Sequence, residues 1–303
     1  MSTPAPIFPV LAHDYNSTLV QHACIYELIP PDTLSSPPSS TPDVPKKKHA
    51  LVFIGGLGDG PHTVPVIRAV AGLMGEQLPE WADVVEIGEV VSYLRRQLGR
   101  SKVVLMGHST GCQDCMEYVT KRHDAPEVDG IILQGPVSGR EGLVPLLEQD
   151  ERDYEASLAH AKRLVEEGKG DDEYMPRSLL PVGWNNPVTA YRWLSLASVG
   201  GDDDYFSSDL PDERVAEIWG GIEAKVLIVP SEKDEHVPRH IDVPKLVGRW
   251  TAACKPGVAS KLSGLIVGAN HRVEYPEGQQ WLAERVVRFL REDIVTSGEG
   301  REG

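Results

Sequence analysis

The sequence has few cysteines, a deficit of basic residues and no long hydrophobic run. Its four cysteines among 303 residues are too few and too scattered for a disulfide framework. Lysine and arginine number 30 against 45 acidic residues, which gives a formal net charge of −15. This balance argues against nucleic acid or an anionic membrane surface as a partner, because both need clustered positive charge. No apolar run approaches the roughly 18 residues that span a bilayer.

The N-terminal segment MSTPAPIFPVLAHDYNSTLVQ has no basic region followed by an apolar stretch. It therefore predicts no secretory signal, and with so little cysteine we expect a reducing, cytoplasmic location. A hydrophobic fraction of 41% is ordinary for a globular protein. We expect residues 1–303 to form one domain of the α/β class, and the sequence makes no prediction of oligomeric state.

Short, wholly apolar segments alternate with amphipathic ones, which is typical of a mostly parallel sheet flanked by helices. The predicted strands lie within 18–29, 50–60, 101–111, 130–135, 224–230 and 262–270. The predicted helices span 62–78, 83–98, a segment ending near 122, and 277–293.

The pattern changes between about 136 and 210. An acidic helical stretch is followed there by a segment rich in aromatic and turn residues. Such an insertion between two strands is what a cap over an active site would look like. An ordinary helical excursion is the alternative.

The segment Gly107-His108-Ser109-Thr110-Gly111 matches G-x-S-x-G, with the apolar strand VVLM before it and a helical pattern after it. That context is the one in which the motif forms a nucleophile elbow, a sharp turn that raises the serine above the sheet. The two glycines are needed because a Cβ would clash in so tight a turn. Ser109 is therefore the predicted nucleophile of an α/β-hydrolase fold.

A serine nucleophile needs a base and an orienting acid, which follow in the order Ser, Asp or Glu, His in this fold. Asp234 follows the strand KVLIVP, and His271 follows LSGLIVG, so both stand at carboxyl ends of strands. Glu232 and Glu235 flank Asp234 as rival acids. His236 and His240 precede the last strand and are too close to the acid, and His108 within the elbow is interpreted as a packing residue.

The oxyanion of acyl transfer needs two donors. The backbone N–H of Thr110 is the first, and the second should come from Gly55-Gly56-Leu57-Gly58, with Leu57 preferred and Gly56 next. The same loop is weak as a dinucleotide site because Pro61 replaces the last glycine of G-x-G-x-x-G. We therefore predict no cofactor and no metal.

Cys112 and Cys115 form a C-x-x-C at i and i+3 of the helix that follows the elbow. The spacing is compatible with redox or metal chemistry. Buried apolar packing is favoured, because no second Cys or His pair lies at zinc-binding spacing.

The combination GGLGDG…TVP, VVLMGHSTGCQD, SEKDEHVP and GANHRVE resembles a fungal α/β-hydrolase family, over about residues 15–295. That family includes intracellular siderophore esterases acting on fusarinine C and triacetylfusarinine C. The resemblance implies ester hydrolysis of a small-molecule trihydroxamate siderophore, with Ser109 as nucleophile, Asp234 as acid and His271 as base.

The sequence departs from that family between the two predicted helices 62–78 and 83–98. Only GEQLPEWAD is available where a strand and a long loop are expected. We therefore expect one strand to be missing near 78–84, through either a shortened chain or a sheet that closes differently. The alternatives to a siderophore esterase are a general esterase, lipase or acyltransferase with the same triad, and a non-catalytic relative that binds a ligand.

Overall fold

The structure is a computed structural model that describes residues 10–15, 23–28, 48–56, 81–85, 87–121, 125–184 and 187–296. The strands are Val10–Tyr15 (β1), Ala23–Leu28 (β2), His49–Ile54 (β3), Trp81–Val85 (β4), Lys102–His108 (β5), Gly130–Gln134 (β6) and Lys225–Val229 (β7). The helices are Glu89–Arg96 (α1), Gly111–Lys121 (α2), Gly139–Gln149 (α3), Tyr154–Glu166 (α4), Ala190–Ala197 (α5), Asp212–Gly220 (α6), Val243–Ala253 (α7) and Pro276–Phe289 (α8). A π-helix, Leu290–Val295, continues α8. The predicted helix at 62–78 lies outside the described residues.

The main sheet is parallel throughout, in the order β4-β3-β5-β6-β7. β1 and β2 form a separate antiparallel hairpin, and β2 lies beside β4. Alternate residues of β5 enter different cores: Val103 and Leu105 face one cluster, Val104 and Met106 the other. Burial on both faces explains why these strands are apolar without a break. Because all strands point the same way, the residues that follow them gather at one edge of the sheet.

The expectation of a missing strand near 78–84 is wrong. β4 occupies 81–85 and pairs with β3 in parallel from His49↔Trp81 to Phe53↔Val85. The error came from the apolar spacing of 83–98, which reads as a helix. In fact the helix α1 begins only at Glu89, and the valines before it belong to β4. A short apolar run does not distinguish the two-residue period of a strand from the 3.6-residue period of a helix.

The predicted strand at 262–270 is present only as an irregular edge beside β7. Isolated parallel bridges join Val226 to Ala259 and Ser231 to Ile266. The edge segment therefore uses more residues than β7 over the same length, which interrupts the regular pairing. The Ser263 hydroxyl accepts the Ile228 N–H at 3.1 Å, where a regular strand would offer a carbonyl.

Between β6 and β7 the chain forms α3, α4, α5 and α6. The side chains of Ser138, Asp153 and Thr189 cap the first three of these helices by accepting a backbone N–H of the first turn. The first three helices enclose a small core of their own, in which the Trp193 indole donates to the Ser157 hydroxyl at 3.1 Å. Among the described residues, no helix is long and apolar enough to cross a membrane.

Candidate active site

The segment from β5 to α2 is a strained elbow. Ser109 has φ +54°, in the left-handed region that non-glycine residues rarely adopt. A Cβ on Gly107 would lie 2.3 Å from the Gly111 carbonyl oxygen, and one on Gly111 would lie 2.3 Å from the Ile54 carbonyl oxygen. Only glycine fits at either position, which is the geometry that the G-x-S-x-G motif predicts. Ser109 itself is half-buried, and its N–H donates to the Gln134 carbonyl at 3.1 Å.

The structure brings Asp234 and His271 together. His271 Nδ1 lies 2.7 Å from Asp234 Oδ2, and the two side chains are only 6% and 2% exposed. The loops that carry them are joined by backbone hydrogen bonds, among them Lys233 N–H to the Ala269 carbonyl. An ionised carboxylate accepts hydrogen bonds and cannot donate one, so Nδ1 is the donor in this contact. Nε2 is then the nitrogen left for another partner.

His271 reaches the elbow through the end of β6. Gly135 has φ +58°, and a Cβ there would lie 3.3 Å from His271 Cε1, so a larger residue would be strained and would crowd the imidazole. The preceding residue, Gln134, accepts the Ser109 N–H with its carbonyl and donates from Nε2 to the His271 carbonyl at 3.3 Å. Ser109 and His271 therefore both contact Gln134, the last residue of β6.

The rival acids Glu235 and Glu232 bind backbone N–H groups of the loop that carries His271. Glu235 Oε2 accepts the His271 N–H at 2.9 Å, and Glu232 Oε2 accepts the Gly268 N–H at 2.7 Å. His236 donates its backbone N–H to Asp234 Oδ1 at 3.0 Å. Its ring meets the His271 ring edge-on, with 4.5 Å between centroids, and burial together with His271 lowers the pKa of His236.

Gln134 is a site residue that the sequence reasoning missed. It is fully buried, and its Oε1 lies 2.5 Å from His108 Nδ1. His108 is buried, as expected of a packing residue, but the ring against which it packs is that of His271, with centroids 4.8 Å apart. The signal for Gln134 was present: a lone polar residue ends the apolar strand GIILQ, and a buried amide needs partners.

A cavity of about 550 Å³ opens beside the elbow. Thr110 lines it together with Gly55 and Gly56, so a predicted oxyanion donor and the start of the glycine-rich loop border the same cavity. Leu57, the preferred second donor, lies outside the described residues. The insertion contributes further lining residues, among them Tyr174, Trp184, Arg192 and Asp203.

Cys112 and Cys115 are free and fully buried, as the packing interpretation predicts. The Cys112 thiol donates to the carbonyls of Gly107 and Gln134, both at 3.3 Å. Burial raises the pKa of both thiols well above the ordinary value. Within the described part of the chain, no cluster of His, Cys, Asp and Glu has the arrangement of a metal site.

Comparison with known proteins adds a family and named relatives. The family described as "Protein of unknown function (DUF1749)" matches residues 81–291. Esterase AN6793 from Emericella nidulans is 30% identical, over 80% of this chain and 86% of its own length. Fusarinine C esterase sidJ from Aspergillus fumigatus is 26% identical, over 93% and 95% of the two chains. The fungal resemblance and the prediction of a carboxylic ester hydrolase are thereby confirmed.

Solved structures confirm the fold. Siderophore hydrolase EstB from Aspergillus fumigatus superposes with a TM-score of 0.71, at 24% identity, over 97% of this chain and 100% of that one. A structure described as an alpha/beta hydrolase fold protein of unknown function gives a TM-score of 0.63, at 16% identity, over 98% and 100% of the two chains. The prediction of an α/β-hydrolase fold is therefore confirmed.

Proposed function

We propose that this chain, which belongs to the DUF1749 family, cleaves a carboxylic ester through an acyl-enzyme formed on Ser109, with His271 as base and Asp234 as orienting acid. The observation that carries the proposal is the buried His271–Asp234 pair at 2.7 Å, held against the same end of β6 that accepts the Ser109 N–H. An imidazole that a buried carboxylate orients, held at the same strand end as a strained serine, is the arrangement that activates a hydroxyl.

In the proposed reaction His271 Nε2 takes the proton of Ser109 as the hydroxyl oxygen attacks the ester carbonyl. Asp234 stabilises the imidazolium, and the Thr110 N–H with a donor from the glycine-rich loop stabilises the tetrahedral oxyanion. His271 then returns the proton to the departing alcohol. Water, activated in the same way, releases the acid from Ser109.

The substrate we propose is the ester of a hydroxamate siderophore such as fusarinine C or triacetylfusarinine C. The support is the name of the sidJ relative, which aligns over nearly the whole chain, and that of the EstB structure. A less specific esterase is the second candidate, supported by the name of the Emericella nidulans relative.

We also propose that the insertion around α3, α4 and α5 acts as a cap over the site within one domain. The aromatic and charged side chains that it contributes to the cavity wall support this role. A cytoplasmic location, the absence of a cofactor and the absence of nucleic-acid or membrane partners stay predictions.

Labelling with a fluorophosphonate probe tests the nucleophile. We expect covalent labelling of the native protein and none of Ser109→Ala. Ser178→Ala, which removes an exposed serine far along the insertion, is the matched control and should label normally. Labelling that survives Ser109→Ala would contradict the proposal, and no labelling of the native protein would favour a non-catalytic ligand-binding relative.

Comparison of single-turnover hydrolysis tests the substrate. We expect faster cleavage of fusarinine C or its triacetyl form than of short p-nitrophenyl esters at equal concentration. A preference for the short esters would favour the general esterase.

A further inference from the structure

The cavity beside the elbow has a charged wall for which the proposed chemistry has no use. Asp114, Arg192 and Asp203 all line it, together with Gln113. Ester hydrolysis by a triad needs an oxyanion hole, but it needs no carboxylate at this position.

Asp114 is placed to meet a bound molecule. It lies one turn beyond Thr110 in α2, and its N–H donates to the Thr110 carbonyl at 3.3 Å. Four residues of helix carry its backbone about 6 Å further along the axis than that of Thr110. The side chain is exposed, but into the cavity, because Asp114 is one of the lining residues.

The charges around Asp114 do not cancel. Asp203 is 7% exposed and pairs with Arg192, whose Nη1 lies 2.8 Å from Asp203 Oδ2. Glu117 pairs with Lys121 at 3.0 Å. Asp114 forms no hydrogen bond or ion pair through its carboxylate with the described residues. With Asp203 neutralised by Arg192, the Asp114 carboxylate leaves the wall with one net negative charge. Desolvation, offset in part by Arg192, raises the pKa of Asp114.

A second acceptor at the same wall is also unused. Gln113 is 3% exposed and donates from Nε2 to the Val137 carbonyl at 3.0 Å. Its Oε1 is buried without a hydrogen-bond partner among the described residues. A buried amide oxygen costs free energy unless a donor reaches it, so this acceptor points to a ligand that carries N–H or O–H groups.

We propose that this wall binds a primary ammonium group of the substrate, with Asp114 as its charge partner and Gln113 Oε1 as an additional acceptor. The proposal rests on the proposed function, since it places the ammonium group in the same cavity as the ester that Ser109 attacks. An ammonium group has three donors and one positive charge, which match a free carboxylate and an unused carbonyl oxygen. The wall would then select amine-bearing esters over neutral ones.

Inhibition by small molecules of similar length tests the proposal on the full chain. Pentylammonium, 1-pentanol and hexanoate differ in charge but hardly in length, and each competes with p-nitrophenyl acetate. We expect the inhibition constant of pentylammonium to be about tenfold lower than that of 1-pentanol, as one charge-assisted hydrogen bond provides. Asp114→Asn should remove that difference without changing inhibition by 1-pentanol.

Two further variants are matched to Asp114→Asn. Glu213→Gln removes an exposed acid on α6, outside the cavity, and should leave all three inhibition constants unchanged. Asp114→Glu keeps the charge and should keep the preference for pentylammonium. Equal inhibition by pentylammonium and 1-pentanol would overturn the proposal, as would stronger inhibition by hexanoate, which would assign the wall to Arg192 and an anion.

The failure of this proposal differs from the failure of the proposed function. If the native protein hydrolyses no ester and takes no fluorophosphonate label, the proposed function is wrong. Saturation-transfer NMR of the three compounds then measures binding to the cavity without catalysis. Pentylammonium binding that is lost in Asp114→Asn would still support the ammonium site.

Discussion

Replacement of Asp234 by asparagine is the most direct test of the proposed chemistry. The substitution keeps the size of the side chain but removes the charge that lies 2.7 Å from His271 Nδ1. With charge centres about 4 Å apart and an effective dielectric constant of about 20, the pair stabilises the imidazolium by roughly 4 kcal/mol. That free energy corresponds to a factor of about 10³ in rate.

A second effect acts in the same direction. The asparagine amide can turn its N–H toward Nδ1, which selects the tautomer that cannot accept the serine proton at Nε2. We therefore expect kcat for ester hydrolysis to fall by about 10³ to 10⁴ in Asp234→Asn. The fluorophosphonate labelling rate should fall in parallel, while the far-UV spectrum stays unchanged.

The neighbouring glutamates provide the controls. Glu235→Gln and Glu232→Gln remove a negative charge from the same loop, but the amide oxygen can still accept the backbone N–H that each carboxylate accepts now. We expect each to change kcat by less than about fivefold, since neither touches the reacting imidazole nitrogen. A small effect of Asp234→Asn together with a large effect of Glu235→Gln would refute the assignment of the acid.

Three smaller predictions concern packing, charge and the thiols. Gly111→Ala puts a Cβ 2.3 Å from a carbonyl oxygen of β3 and should lower the urea midpoint strongly. In contrast, the Cβ of Gly248→Ala in α7 meets nothing within 4 Å, and this variant should stabilise the fold by about 0.5–1 kcal/mol. Because the fold raises the pKa of Asp114, the ionised carboxylate is disfavoured in the folded protein. The contribution of Asp114 to the free energy of unfolding is therefore largest when the carboxyl is protonated, and it is lost as the pH rises through the folded pKa. The thermal midpoint of Asp114→Asn should therefore exceed that of the native protein at pH 7, with the difference vanishing below the ordinary value of 3.8. Buried Cys112 and Cys115 should resist a thiol reagent at pH 7.5 and react after unfolding, as read by site-resolved mass spectrometry, and fast labelling of either in the folded protein would contradict their burial.

The positions of the candidate triad could be predicted from the sequence because a parallel sheet imposes them. Each residue follows an apolar segment, and parallel strands deliver whatever follows them to one edge. The pairing of Asp234 with His271 could therefore be predicted without knowledge of the loops between them. It required only that 225–229 and the segment before His271 run side by side, and they do so even though the second is too irregular to form a strand.

The edge strand β4 shows where such reasoning ends. Its five residues, WADVV, include too few apolar positions to distinguish a strand from the first turn of a helix. Its identity is decided by pairing with β3, which lies about 30 residues earlier and offers a free edge. Long-range backbone pairing of this kind leaves no local signature in so short a segment.

Gln134 shows a different limit, because its role depends on three parts of the chain meeting at one side chain. Its backbone carbonyl accepts from the elbow, and its amide lies between His108 and the loop of His271. Since Gln134 Nε2 donates to the His271 carbonyl, Oε1 is the atom that faces His108, and His108 must carry its proton on Nδ1. The histidine that sequence reasoning assigned to packing therefore shares an amide with the loop of the proposed base. The elbow and the base are joined through the side chain of one buried glutamine at the end of β6.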